Sequence, residues 1–447
     1  MTFEKPTFIA LCYFLFTFGY IISTGFYHIG ELAIILTTTA ILVVFYFKPQ
    51  VLNLLNIPSD RPSLIFLLAI ILSVNIALVG ARLGDPAQTN WQFFSAGSRI
   101  LAASALLLAL SFFLKNSPRS LIRWRLPVLI AIAIFIRIFS IISAPNPTID
   151  VFYILRDGPK LLLDGKNPYE LSYPAPYGVY IPTIIFVYGP LVPFLFLPAS
   201  VLFNDPRYLL IASDLVSAFL IFKLAQKLHL EKNLANLIIL IFLFHPLFPF
   251  MTEQSWLEPT ITMLFTASTF FLAAHPKSSI GPLLLGSILA IKSVYILPIL
   301  TYLKNIGARP FQYLITALVP IIISAPFFIA NPSLFLERTQ TYVTDPSAIS
   351  RSLAPTEISL NIAAVILKYT KLVLPTIIIS LFGTAVAIAV IVKKPKSLPF
   401  AVLSVFLVFI TLFMFGPFVF LHYYAFMGNI LLLTLILFLG KGHKIDS

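Results

Sequence analysis

Fourteen stretches of this chain are each apolar over about the length that spans a bilayer, and no soluble core can bury that many. They fall near 7–27, 31–47, 62–82, 97–114, 126–143, 183–203, 207–223, 233–250, 255–274, 279–303, 310–330, 371–392, 398–416 and 419–440. In hydrocarbon every backbone N–H and C=O must be satisfied within the protein, so the runs predict helices. Composition agrees: 59% of the 447 residues are hydrophobic and 11% are charged, against about 25% charged in a soluble domain. The expected fold class is an all-α polytopic membrane protein of about 12–14 transmembrane helices. The run 7–27 has no small-residue cleavage pattern after it and reads as a retained helix. The one cysteine, Cys12, excludes an internal disulfide.

A net charge of +13 would suit nucleic acid, but the Lys and Arg sit in short loops between apolar runs. That is where the positive-inside rule places them, so no nucleic-acid partner is expected. The loop 115–125, KNSPRSLIRWR, is the clearest case, and KKPK at 393–396 and KGHK at 441–444 agree. Counting outward puts both termini inside and 144–182, 331–370 and the turn near 417 outside. The expected location is the plasma membrane, with the working face extracytoplasmic. Two features resist this count. The basic loop Lys223–Lys232 falls outside, and Glu253 and Glu258 fall on or near the inner side. Pro190, Pro193 and Pro198 make 183–203 a candidate broken or re-entrant segment. Parity then requires a second one, for which 279–303 around Lys292 and Pro298 is the candidate, and 12 and 14 crossings both stay open.

The segment Ala144–Pro182 is too polar for a bilayer core, with Asp150, Arg156, Asp157, Lys160, Asp164, Lys166 and Glu170. In an otherwise lipid-soluble chain a polar loop of this length marks the working part. After Asp150, the run VFYILRDGPKLLL places Val151, Ile154, Leu155, Leu161 and Leu162 on one helical face suited to an interface. Gly158–Pro159 is expected to interrupt that helix. Asp150 itself reads as an N-cap, a role compatible with a chemical one. GKNPYE at 165–170 reads as a turn with Gly165 left-handed. Asn167 and Tyr169 either build that turn or offer an amide and a hydroxyl to a sugar. The second polar loop, 331–370, is expected to hold an amphipathic helix near 355–369.

Four ionisable residues lie within apolar runs: Arg137, Asp214, Glu258 and Lys292. Each costs about 3 kcal/mol at the bilayer centre, so each is expected to be paired or functional. Lys292 suits a buried anion such as a lipid phosphate, or else a salt bridge to Asp214 or Glu258. Asp214 reads as structural. His422, in FLHYYAF, sits at a helix start in an aromatic belt. GxxxxGK[ST], GxGxxG, HExxH and paired Cys/His sets are all missing, which leaves nucleotide hydrolysis and zinc chemistry without support.

Asp150 after a span, then an interface helix, GKNPYE and a Tyr/Pro-rich return (YPAPYGVYIP, then YGPLVP), resembles the first outer loop of integral-membrane GT-C glycosyltransferases. The likeness is nearest to the polyprenyl-phosphate-mannose-dependent mannosyltransferases. EQSWLEPTITMLF, GSILAIKSVYILPIL, NPSLFLERTQTY, an S-L-N turn and HYYAF follow in order. The resemblance covers roughly 130–440. It divides the chain into additional N-terminal helices over 1–125 and a GT-C-like catalytic module over 126–447. It implies inverting transfer of a hexose, mannose in the nearest relatives, from a polyprenyl-phosphate donor to a lipid-linked or surface glycan in the cell envelope. Asp150 would then be the catalytic base, with Lys292, Arg156, Arg338, His422, Asn167, Tyr169 and Glu258 contacting substrate. No cofactor is implied and a metal is not demanded. The acidic pair common in related families is reduced here to Asp150, which leaves the acceptor class open. The rival expectations are a transporter or flippase of lipid-linked sugars, and an outer-leaflet polysaccharide ligase or polymerase.

Overall fold

The computed structural model describes residues 3–22, 28–55, 57–79, 91–111, 119–174, 183–344, 359–372, 376–393, 397–416 and 421–440. Residues 115–118 of the first basic loop, the return 175–182, residues 355–358, the tract 394–396, the turn near 417 and the tail 441–444 lie outside them. The fold is helical, and among the described residues eight helices are long and apolar enough to cross a membrane. The chain is a multi-pass membrane protein.

In chain order the helices are α1 (Glu4–Ile22), α2 (Ile29–Phe47), α3 (Arg61–Val79), α4 (Trp91–Leu110), α5 (Arg119–Ser143), α6 (Asp150–Leu161) and α7 (Leu191–Leu202). Then come α8 (Arg207–Lys227), α9 (Lys232–Leu243), α10 (Phe248–Glu253), α11 (Glu258–Ala274), α12 (Ile280–Ile291), α13 (Ile296–Asn305) and α14 (Pro310–Ala330). The last five are α15 (Pro332–Thr344), α16 (Ile362–Thr370), α17 (Thr376–Lys393), α18 (Leu398–Phe415) and α19 (Leu421–Leu439). The long apolar ones are α1, α2, α3, α5, α8, α14, α18 and α19. A short antiparallel pair, β1 (Ser172–Pro174) and β2 (Thr183–Ile185), adds the register Tyr173↔Ile184 to the helical set.

The chain forms two compact units. The first holds Met1–Ile57, Val187–Val192 and Leu264–Ser447; the second holds Pro58–Phe186 and Pro193–Met263. Packing thus groups α1 and α2 with the C-terminal half, whereas α3 and α4 belong to the other unit.

In the second unit two polar contacts settle which helix ends lie together. Arg125, near the start of α5, donates to Asn233 Oδ1 at the start of α9 (3.4 Å), and Arg61 at the start of α3 pairs with Glu231. The basic loop Lys223–Lys232 therefore lies at the same end as the first basic loop, not opposite it as the sequence count required. At the other end, Arg207 Nη1 donates to the Ala144 carbonyl (2.7 Å). Residues 145–206 consequently leave α5 and return to α8 at one end, so the proline-rich run 183–203 is not a crossing. The hydroxyls of Ser213 and Thr260 are 3.2 Å apart, which starts α11 near that same end. Glu253 and Glu258 belong there too, away from the basic end where the sequence count placed them. A run counted as one span, 233–250, is broken: α9 stops before His245–Pro246 because Pro246 disfavours helical backbone at the residue before it.

The first unit is built around α19. All of its residues except Tyr423 and Phe438 are buried, as expected for a helix apolar all round. Aromatic rings fill the contacts: Phe16 meets Phe406 and Tyr424, and Tyr295 stacks on Phe409 beside Phe426. Each such pair adds about 0.5–1.5 kcal/mol beyond burial. The run 279–303 bends back on itself here. Asn305, closing α13, donates to the Tyr46 hydroxyl (3.3 Å), which donates to the Val390 carbonyl near the end of α17 (3.2 Å). The α12 start is tied to the α14 start, because Gln312 Nε2 donates to the carbonyls of Pro276 and Ser278 and Thr316 to that of Pro282. Only Ile306–Arg309 separate α13 from α14, so α12 and α13 begin and end on one side. Lys292 and Ser293–Tyr295, a single 3-10 turn, form the bend between them. Pro298 is tolerated because it stands in the first turn of α13, where its missing N–H has no helical partner to lose.

Candidate functional site

The polar loop organises α6. Val151, Phe152, Ile154, Leu155, Gly158 and Pro159 are buried, while Leu161 and Leu162 at its end are half-buried. The helix runs through Gly158–Pro159 without the expected interruption. Pro159 has no N–H for the Leu155 carbonyl; the Ser200 hydroxyl donates to that carbonyl instead (2.8 Å).

Asp150 is half-buried and is the first helical residue, with Ile149 at the N-cap. Its Oδ1 accepts from the N–H of Val151 (2.8 Å). The N-cap position thus falls to Ile149, one residue before the residue that the sequence reading gave it. A carboxylate in this first turn faces the positive end of the helix dipole, which favours its charged form.

GKNPYE folds as a turn. Gly165 has φ +65°, as the sequence predicts. Asn167 Oδ1 accepts from the Tyr169 N–H (3.1 Å) and its Nδ2 donates to Glu170 (3.1 Å). The Tyr169 ring is fully buried edge-on to Phe186, and the Tyr173 hydroxyl donates to the Pro168 carbonyl (2.9 Å). Burial pushes both phenols up, with a smaller push on Tyr169 from Tyr173 and on Tyr173 from the Asp157 carboxylate. Asn167 and Tyr169 thus hold the loop together, which is one of the two roles expected of them. Arg156 makes a two-pronged contact with Asp157 (2.8 Å each), which raises its already high pKa. Asp157 thereby takes the Nε and Nη2 edge of the guanidinium.

Two further arginines of this unit are buried in full ligation. Arg137 donates to Asp214 Oδ2 (2.9 Å), Ala133 O (3.0 Å) and Leu243 O (2.9 Å), with Phe248 under its guanidinium. Asp214 is structural, as expected. Arg207 pairs with Asp205; sequence reasoning missed both, although D-x-R after the turn-forming Asn204 was a usable signal. Glu258 is fully buried in the first turn of α11, a position the helix dipole favours for an acid.

In the first unit the segment after β2 reaches the bend of α12 and α13. Gly189 N–H donates to the Ile291 carbonyl (2.9 Å), and a Cβ on Gly189 would lie 2.2 Å from the Ala290 carbonyl oxygen. Only glycine permits that approach. Lys292, in extended backbone just past α12, is half-buried. Its Nζ is 3.5 Å from the Tyr423 hydroxyl, with the Tyr423 and Tyr188 rings at 4.8 and 5.9 Å. Such faces stabilise a cation, and the α12 C-terminus favours one. His422 is buried with its ring 4.3 Å from that of Tyr423, which stacks on Phe413. Asn361, of the S-L-N turn, caps α16 by accepting from Ala364 N–H (2.8 Å). Its amide donates to Phe413 O (3.2 Å) and Gly416 O (2.8 Å), and Tyr424 donates to Leu360 O. Arg338 lies half-buried in α15.

Among the described residues no group of His, Cys, Asp and Glu could hold a metal. No protein-family model, curated protein or solved structure matches the chain.

Proposed function

We propose that the protein is an inverting glycosyltransferase that takes a hexose from a polyprenyl-phosphate donor at the extracytoplasmic face. The observation that carries this reading is the pinning of Tyr188 and Gly189, which follow the polar loop in the chain, onto the bend that bears Lys292. A lysine at such a bend, faced by tyrosine rings, suits the phosphate of a lipid-anchored donor. In this reading twelve crossings place the polar loops outside: α1 to α5, α8, α9 with α10, α11, α14 and α17 to α19. The acceptor hydroxyl attacks the anomeric carbon and Asp150 takes its proton. The bond from that carbon to the phosphate oxygen breaks, and the electron pair stays on the lipid phosphate, held by Lys292. A base so placed contributes about 10²–10⁴ in rate, and the cation stabilises charge developing on the leaving oxygen.

The test uses membranes supplied with radiolabelled polyprenyl-phosphate mannose. Wild type is expected to move label into a lipid or glycan fraction, and Asp150→Asn to lower that rate at least about a hundredfold with normal insertion. Absence of transfer by wild type would sink the reading. A second reading has an observation of its own: the interrupted helices α9/α10 and α12/α13 are also what transporters place around a substrate. Translocation of the labelled lipid without covalent transfer would select it.

A further inference from the structure

We infer that Arg207, locked to Asp205, is a positioning residue that fixes Asp150 relative to the end of α5. What the positioning accomplishes rests on the transferase reading above. Arg207 is the first residue of α8 and is 0% exposed. Its Nε donates to both oxygens of Asp205 (2.9 and 3.1 Å) and its Nη2 to Oδ2 (2.6 Å), while its own N–H reaches Oδ1 (2.9 Å). Nη1 turns the other way, to the Ala144 carbonyl (2.7 Å), and the guanidinium carbon lies 4.8 Å from the centre of the Phe152 ring. One planar group therefore joins the Asp205 turn, the residue that follows α5, and α6. Asp150 stands in the chain between the two points held, Ala144 and Phe152. Neither its depth nor its rotation can change without moving one of them.

Stability alone does not require such a device. Replacing a buried ion pair by well-packed apolar residues is often neutral or stabilising. What the fork and the ring contact add is fixed geometry, which a lysine, as a point charge on a flexible stem, cannot reproduce.

The experiment compares wild type, Arg207→Lys and Asp205→Asn as full-length chains, with Asp205→Asn as the milder variant should Arg207→Lys not fold. With labelled donor, each folded variant is expected to lose at least tenfold in kcat with donor KM within twofold. The acidic limb of its pH profile should also shift. Independently of activity, a nitroxide on Thr148→Cys, an exposed position two residues before Asp150, in a Cys12→Ala background is expected to be less mobile in wild type than in both variants. Unchanged kcat, or lost kcat with unchanged label mobility, would overturn the inference. A wild type that transfers nothing while the label loosens in the variants would refute the transferase reading and leave the clamp standing.

Discussion

Breaking the Arg137–Asp214 pair is expected to cost far more than removing it whole. Both side chains are almost fully buried, 1% and 0% exposed, so neither charge has water to fall back on. Asp214→Leu strands a guanidinium, and Arg137→Met strands a carboxylate; either should cost about 3–5 kcal/mol. The double replacement strands no charge. It loses one donor that the fold needs, because the Leu243 carbonyl sits at the broken end of α9. Its ordinary helical donor, the Leu247 N–H, is turned to His245 Nδ1 (3.3 Å), and Arg137 Nη2 supplies the bond instead. One deprived buried carbonyl is worth about 1–3 kcal/mol. If the singles were independent they would sum to roughly 6–10 kcal/mol, so the cycle should show a coupling of at least about 3 kcal/mol. Equilibrium unfolding of the four proteins in mixed micelles measures it. Singles no more harmful than the double would refute the reasoning, since the charges would then be solvated.

Lys292→Met is expected to weaken binding of the polyprenyl-phosphate donor at least tenfold while the melting temperature in detergent holds, since Lys292 is a half-buried cation beside tyrosines. A lower melting point with unaltered donor affinity would remove Lys292 from the site. Leu163→Cys, 64% exposed just past α6, should react with an impermeant thiol reagent on intact cells in a Cys12→Ala background; labelling only after permeabilisation would reverse the orientation. Asp60 caps α3 through the N–H (2.9 Å) and hydroxyl (2.7 Å) of Ser63, which lower its pKa below 3.8. A depressed carboxyl stabilises the folded state above its ordinary pKa and loses that contribution as pH falls through the lowered value. The protection factor of the Ser63 amide should therefore fall below about pH 4 in wild type and stay flat in Asp60→Asn.

Local chemistry was legible in the sequence wherever one short stretch contains the cause. Apolar runs of bilayer length dictate helices, since hydrocarbon offers the backbone no other partner. Gly165 announces a left-handed turn, Pro198 and Pro298 mark the two runs that return to the end they leave, and buried Asp214 implies a partner. What needed the tertiary structure was every fact whose cause lies far away in the chain. Pro159 reads as a helix breaker until Ser200, from α7, supplies the bond it withholds. Asp150 reads as a cap until the chain enters α6 with Ile149 in that place. The Asn167 amide reads equally as turn-builder or ligand contact until it is seen bonded to Tyr169 and Glu170. The side of the loop Lys223–Lys232 followed from Asn233 and Glu231 meeting Arg125 and Arg61, more than a hundred residues earlier. Composition and periodicity act over one helical turn or one span. A buried hydrogen bond is satisfied by whichever group packing delivers, and that group is chosen by the fold.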